Sequence, residues 1–88
     1  PMKPNLTPLW IEEEIILFLK NEIYDSSIHL DKHTNLIESG MDSFSLLNML
    51  MFIEKKFNIR IPQEEINETR MKNVQNLSDL VYDLTKKE

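Results

Sequence analysis

The apolar residues of the chain fall into three blocks with helical spacing, separated by two stretches that lack it. In the first block Ile11, Ile15 and Phe18 share a face with Glu22, and Ile15, Leu19 and Ile23 share the adjacent one, the three-to-four spacing of an amphipathic helix. Thr7-Pro8 ahead of them is a start signal: a hydroxyl that can cap, then a proline where its missing N–H costs nothing. A helix is predicted from Pro8 to Tyr24, with Glu12, Glu13 and Glu14 near the positive end of its dipole. In the second block Leu46, Leu50, Ile53 and Phe57 make a stripe that should be buried. Asp42 is an N-cap, Lys55 and Lys56 suit the negative end, and Asn58 is a C-cap, so this helix runs from Ser43 to Phe57. In the third block Asn73 caps a helix whose apolar face is Val74, Leu77, Leu80, Val81 and Leu84, closed by Lys86 and Lys87.

The connections differ in kind. Residues Asp25 to Asp42 are rich in Asp, Ser, His, Asn and Thr, but carry Ile28, Leu30, Leu36, Ile37 and Met41 at intervals. A connection this long inside a small domain is uncommon and often functional, and the spaced apolar residues predict that it is pinned to the core. Ile59-Arg60-Ile61 reads as an extended link because Pro62 disfavours helix just before it. Pro62 to Ile66 opens a brief helix with Glu64 and Glu65 in its first turn. The expected fold is all-α: a small antiparallel bundle of three main helices plus one short helix, with a long first loop. Residues 1–7 read as a flexible leader and 8–86 as one domain.

Composition narrows the function classes. With 88 residues and 41% hydrophobic residues there is room for one modest core, and a single glycine argues against a loop-rich β fold. The absence of cysteine excludes disulfides, thiolate metal sites and a cysteine nucleophile. The formal net charge of −5 disfavours nucleic acid and anionic membrane as partners. No apolar run reaches a membrane span, and Leu9–Leu19 is broken by glutamates, unlike a secretion signal. These features imply a soluble, cytoplasmic, monomeric protein. His29 and His33 are four apart, but in a loop and without a thiolate, so solvated side chains are expected there rather than a metal site.

The stretch that carries chemistry is Gly40-Met41-Asp42-Ser43-Phe44. Gly40 allows a backbone bend, Asp42 caps, and Ser43 becomes the first helical residue. An anion attached to the Ser43 oxygen would lie in the favourable field of the helix start. No histidine adjoins Ser43, and a helix start on a bundle is not a nucleophile elbow. Ser43 therefore reads as a substrate for modification, not a self-activated nucleophile, and the chain as no enzyme.

From Ile11 to Leu84 the chain resembles the acyl and peptidyl carrier-protein family. The resemblance rests on Ile28, Leu30, Thr34, Leu36, Gly40, Asp42, Ser43, Leu46, Leu50, Ile53, Glu54 and Phe57, continuing through Ile59, Ile61-Pro62, Glu64-Glu65-Ile66, Val74, Leu77 and Leu80. Asp42-Ser43-Phe44 looks like the family's Asp-Ser-Leu attachment motif, with Phe44 in the leucine place. The resemblance implies that a phosphopantetheinyl transferase moves 4′-phosphopantetheine from coenzyme A to Ser43, with Asp42 near the magnesium and phosphates of that transfer. It implies cargo held as a thioester, and partners comprising an acyl- or aminoacyl-loading enzyme and downstream synthases or transferases. The surface these would read is carried over to Phe44, Leu47, Asn48, Met51 and Lys55.

Charge departs from the fatty-acid-synthesis type, whose second helix is typically acidic. Here Ser43–Phe57 nets +1, while Pro1–Asp42 nets −5. This favours a stand-alone carrier in a specialised pathway (polyketide, nonribosomal peptide or modified-acyl) with a more apolar, less salt-sensitive partner contact. The alternatives are a fatty-acid-synthesis carrier and an arm-less helical interaction domain. The first helix also has apolar residues to spare. Either Trp10 packs over the bundle end and Ile16 reaches the long loop, or Trp10 and Leu17 form an exposed patch that docks a partner or a second copy.

Overall fold

The computed structural model describes residues 6–86. It contains α1 (Pro8–Glu22), α2 (Ser43–Phe57), a single 3-10 turn (Gln63–Glu65) and α3 (Val74–Lys86), with no strand among the described residues. The all-α bundle expected from the hydrophobic pattern is the observed architecture. Of the leader, only Leu6 and Thr7 lie within the described residues, and Lys87 lies outside them.

The starts of the helices are set by side-chain caps. Trp10 N–H donates to Thr7 Oγ1 at 3.1 Å, Ser45 N–H to Asp42 Oδ1 at 2.8 Å, and Asn76 N–H to Asn73 Oδ1 at 2.8 Å. α1 stops two residues before Tyr24. Both Ile23 and Tyr24 donate to Leu19 O, and Asp25 then draws Ser27 N–H to its own carboxylate at 3.1 Å, so a local turn competes with the next helical turn. The first turn of α1 holds no acid. The expected dipole role of Glu12–Glu14 is corrected accordingly: they lie a turn further in, Glu12 is buried, and Glu14 pairs with Lys56 Nζ at 3.3 Å. α2 ends at Asn58, whose φ of 55° and ψ of 50° are left-handed and whose N–H returns to Glu54 O.

α1 packs most closely on α3, and α2 lies against both. Ile11, Ile15 and Leu19 face Val74, Leu77, Leu80 and Val81 in the core, with Leu84 half-buried at its edge. On α2 the expected stripe is corrected at one end. Leu50, Ile53 and Phe57 are buried, but Met49 is fully enclosed and Leu46 is only half-buried. Trp10 takes the packed alternative, meeting Phe57 edge-on at 5.6 Å under Lys56, and Leu17 stays 53% exposed.

The long first loop is fastened at both backbone and side chain. Leu30 and Leu36 are buried, whereas Ile28 and Ile37 are exposed. Leu36 N–H donates to Lys72 O at 2.8 Å and Gln75 N–H to Lys32 O at 3.1 Å, which stitches the loop to the start of α3. The Tyr24 hydroxyl meets Ser39 Oγ at 2.6 Å, and Ser39 donates onward to Leu36 O. The link after α2 is held by Glu54, whose carboxylate accepts Ile61 N–H at 2.8 Å. No helix among the described residues is long and apolar enough to cross a membrane.

Candidate functional site

The loop delivers the chain to α2 through Gly40, whose φ of +99° is a conformation that a side chain makes costly. Two residues later Asp42 is extended and turns its carboxylate back onto the helix start. Its acidity is raised above that of an ordinary carboxyl chiefly by the Ser45 backbone N–H, helped by the Ser45 hydroxyl and the Phe44 N–H. Asp42 is therefore charged at neutral pH while it caps.

Ser43 follows as the first residue of α2 and is exposed. Its hydroxyl takes part in no hydrogen bond among the described residues. A group esterified there would meet no covering side chain, and an anionic ester would sit at the positive end of α2. A second Asp-Ser pair, Asp25-Ser26, differs in each respect. It lies in a turn, Ser26 Oγ leans on Asp25 Oδ1 at 3.5 Å, and no helix follows.

The residues of α2 expected to meet partners share its outward side. Phe44 is 73% exposed, Leu47 54% and Met51 58%, and Asn48 and Lys55 are also exposed. Their spacing of three, four and seven residues keeps them in one stripe beginning next to Ser43. Three large apolar side chains thus lie exposed along one stripe of α2.

Sequence reasoning missed an apolar groove of about 220 Å³ beside the first turn of α2. Leu36, Ile37 and Met41 form its loop side, Leu46 its helix side, and Ile66 and Met71 its far side. The one hint in the sequence was the surplus of apolar residues in the loop; Ile66 and Met71 sit in a segment with no periodicity. The His29 side chain is 93% exposed, and no cluster of potential ligands occurs among the described residues.

Residues 19–81, spanning the long loop, α2 and most of α3, match the family model described as a phosphopantetheine attachment site. No curated protein matches the chain.

Proposed function

The chain belongs to the phosphopantetheine attachment-site family, and we propose that it carries acyl or aminoacyl intermediates on a 4′-phosphopantetheine arm joined to Ser43. Domains of this family take 4′-phosphopantetheine covalently and serve a phosphopantetheinyl transferase and synthase enzymes. They are typically carriers rather than catalysts. The observation that supports Ser43 is its place: an exposed hydroxyl with no internal partner, first in α2, inside the matched region.

The arm supplies a terminal thiol on a long flexible tether, where cargo is held as a thioester. Everything else is the work of this chain's own residues. Ser43 Oγ would form the new phosphodiester bond to the phosphorus on the pantetheine side of coenzyme A's pyrophosphate, the bond to the nucleotide half breaking so that adenosine 3′,5′-bisphosphate leaves, while the hydroxyl proton passes to the transferase or solvent. Asp42 caps the helix start at the residue before that oxygen, and its carboxylate, as the family resemblance implies, would help to hold the magnesium ion that the transferase brings. Phe44, Leu47, Asn48, Met51 and Lys55 present the contact stripe to partner enzymes. The groove lined by Leu36, Met41, Leu46 and Met71 offers apolar cargo a place out of water.

We assign the carrier to a specialised cytoplasmic pathway, polyketide, nonribosomal peptide or modified-acyl, rather than to fatty acid synthesis. The support is the charge of α2, net +1, with an apolar rather than acidic outward stripe. Incubation with coenzyme A, magnesium and a broad-specificity phosphopantetheinyl transferase tests the attachment. Intact mass should rise by one phosphopantetheine in the parent and not in Ser43→Ala; an unchanged parent mass in folded protein would leave an arm-less interaction domain or a carrier that needs a dedicated transferase, which a second transferase separates. The pathway reading is tested by the salt dependence of turnover with fatty-acid-synthesis enzymes. Efficient turnover that collapses with added salt would return the chain to that class.

A further inference from the structure

α1 and α2 lie antiparallel with a shallow aromatic groove between them. Their register is fixed by paired levels: Trp10 meets Phe57, Glu14 pairs with Lys56, and Phe18 stacks on Phe52 at 4.3 Å and 10°. Two depressions adjoin over that stack, sharing Phe18, Glu22 and Phe52. Leu17 rises on the α1 wall and Met51 on the α2 wall, both more than half exposed. The charged residues that line the depressions differ between the walls: α1 contributes Glu14 and Glu22, and α2 contributes Lys55. Lys55 makes no ion pair among the described residues.

We propose that this face pairs with the same face of a second copy of the chain, about a two-fold axis parallel to the helices. Such an axis lays α1 of one copy over α2 of the other and keeps each level opposite its own. Glu14 then meets the Lys55 level of the second copy, Leu17 meets Met51 and Phe52, and Asn21 meets Asn48. Acid faces base, apolar faces apolar and amide faces amide. The overlying helices run antiparallel, which their dipoles favour. A two-fold across the helices would instead set α1 on α1, carboxylates against carboxylates. Helices of 15 residues are about 22 Å long, so a face two helices wide offers roughly 450 Å² per copy. The total lies below the roughly 1,200 Å² of a stable complex, which makes the pairing weak and transient. The pair would hide Met51 and Lys55, so self-association and partner docking exclude each other at high concentration.

Sedimentation equilibrium from about 10 μM to about 1 mM covers the range in which a weak pairing is read. The average mass should climb towards two chains. Leu17→Glu should weaken pairing at least about tenfold, and Lys55→Glu, which sets acid against Glu14, should weaken it as well. Leu9→Glu, at an exposed position of α1 outside both depressions, should leave the curve as in the parent. Far-UV circular dichroism keeps loss of fold distinct from loss of pairing. Leu17→Glu should still accept phosphopantetheine, which separates this proposal from the carrier reading. A parent that stays monomeric throughout, or a dimer indifferent to Leu17→Glu or to Lys55→Glu, or one equally lost in Leu9→Glu, would overturn it.

Discussion

Met49 and Met51 lie two residues apart in α2, and the same truncation should do opposite things to them. Met49 is fully enclosed in the core, while Met51 is 58% exposed on the outward stripe. Replacing a buried methionine by alanine removes three heavy atoms' worth of packing and leaves a cavity, at a cost of about 2–5 kcal/mol. Because no part of Met49 reaches the surface, water cannot refill the space, and about 3 kcal/mol is expected. Natural domains of this length are stable by only about 4–13 kcal/mol. Met49→Ala should therefore lower the melting temperature by about 12–20 °C and shift the urea midpoint at unchanged m. Met51→Ala should change stability by no more than about 0.5 kcal/mol. Its effect should appear in kcat/KM for the phosphopantetheinyl transferase, with a fall of about tenfold if the side chain anchors the partner. Met49→Ala, assayed where it is folded, should be modified at the parental rate. Equal destabilisation by both substitutions would refute the assignment of the two faces of α2. Loss of transferase turnover in Met49→Ala but not in Met51→Ala would refute the assignment of the contact surface.

The cap on α2 makes stability pH-dependent. Asp42 is held below its ordinary pKa of 3.8 in the folded chain, first by the Ser45 N–H, so its contribution is complete above that value and is lost as pH falls below it. Urea midpoints measured between about pH 6 and about pH 3 should decline less in Asp42→Asn, which keeps an oxygen for the cap but has no proton to bind; an identical decline would show that Asp42 is not among the groups responsible. In α3, Ser78 is fully buried and its hydroxyl has no hydrogen-bond partner. Ser78→Ala should stabilise the domain by about 1 kcal/mol, by removing an unmet polar group and improving helix propensity, and thermal unfolding that shows a loss instead would mean that the hydroxyl is satisfied in solution.

How far the fold could be read from the sequence depended on whether the signal was local. The limits of α2 were legible because Asp42, the lysine pair and Asn58 each act within one turn of their own position. Its rotation was less so. The stripe through Leu46 and the true one through Met49 both have helical spacing, and only the neighbours of α2 decide which edge turns inward; the loop and the Ile66–Met71 segment draw Leu46 to the groove. The clamp from Glu54 to Ile61 spans a helix end and a left-handed residue, a geometry that no periodicity announces. The apolar spacing carries the first helix on to Tyr24, whereas the Tyr24 hydroxyl ties down the loop fifteen residues on, at Ser39. The place of Ser43 at the head of α2 was legible for a different reason: glycine, cap, serine and amphipathic helix follow one another without a gap, so the geometry of the candidate site is written almost entirely in local sequence.

The position of the arm is the most direct test of the carrier reading. The protein would be loaded with phosphopantetheine, digested, and its fragments sequenced by tandem mass spectrometry under conditions that keep the phosphodiester intact. The added mass should reside on Ser43 alone. Its appearance on Ser26, beside the other Asp-Ser pair, or on Ser45 within the first turn of α2, would contradict the assignment of the site even though the chain is a carrier.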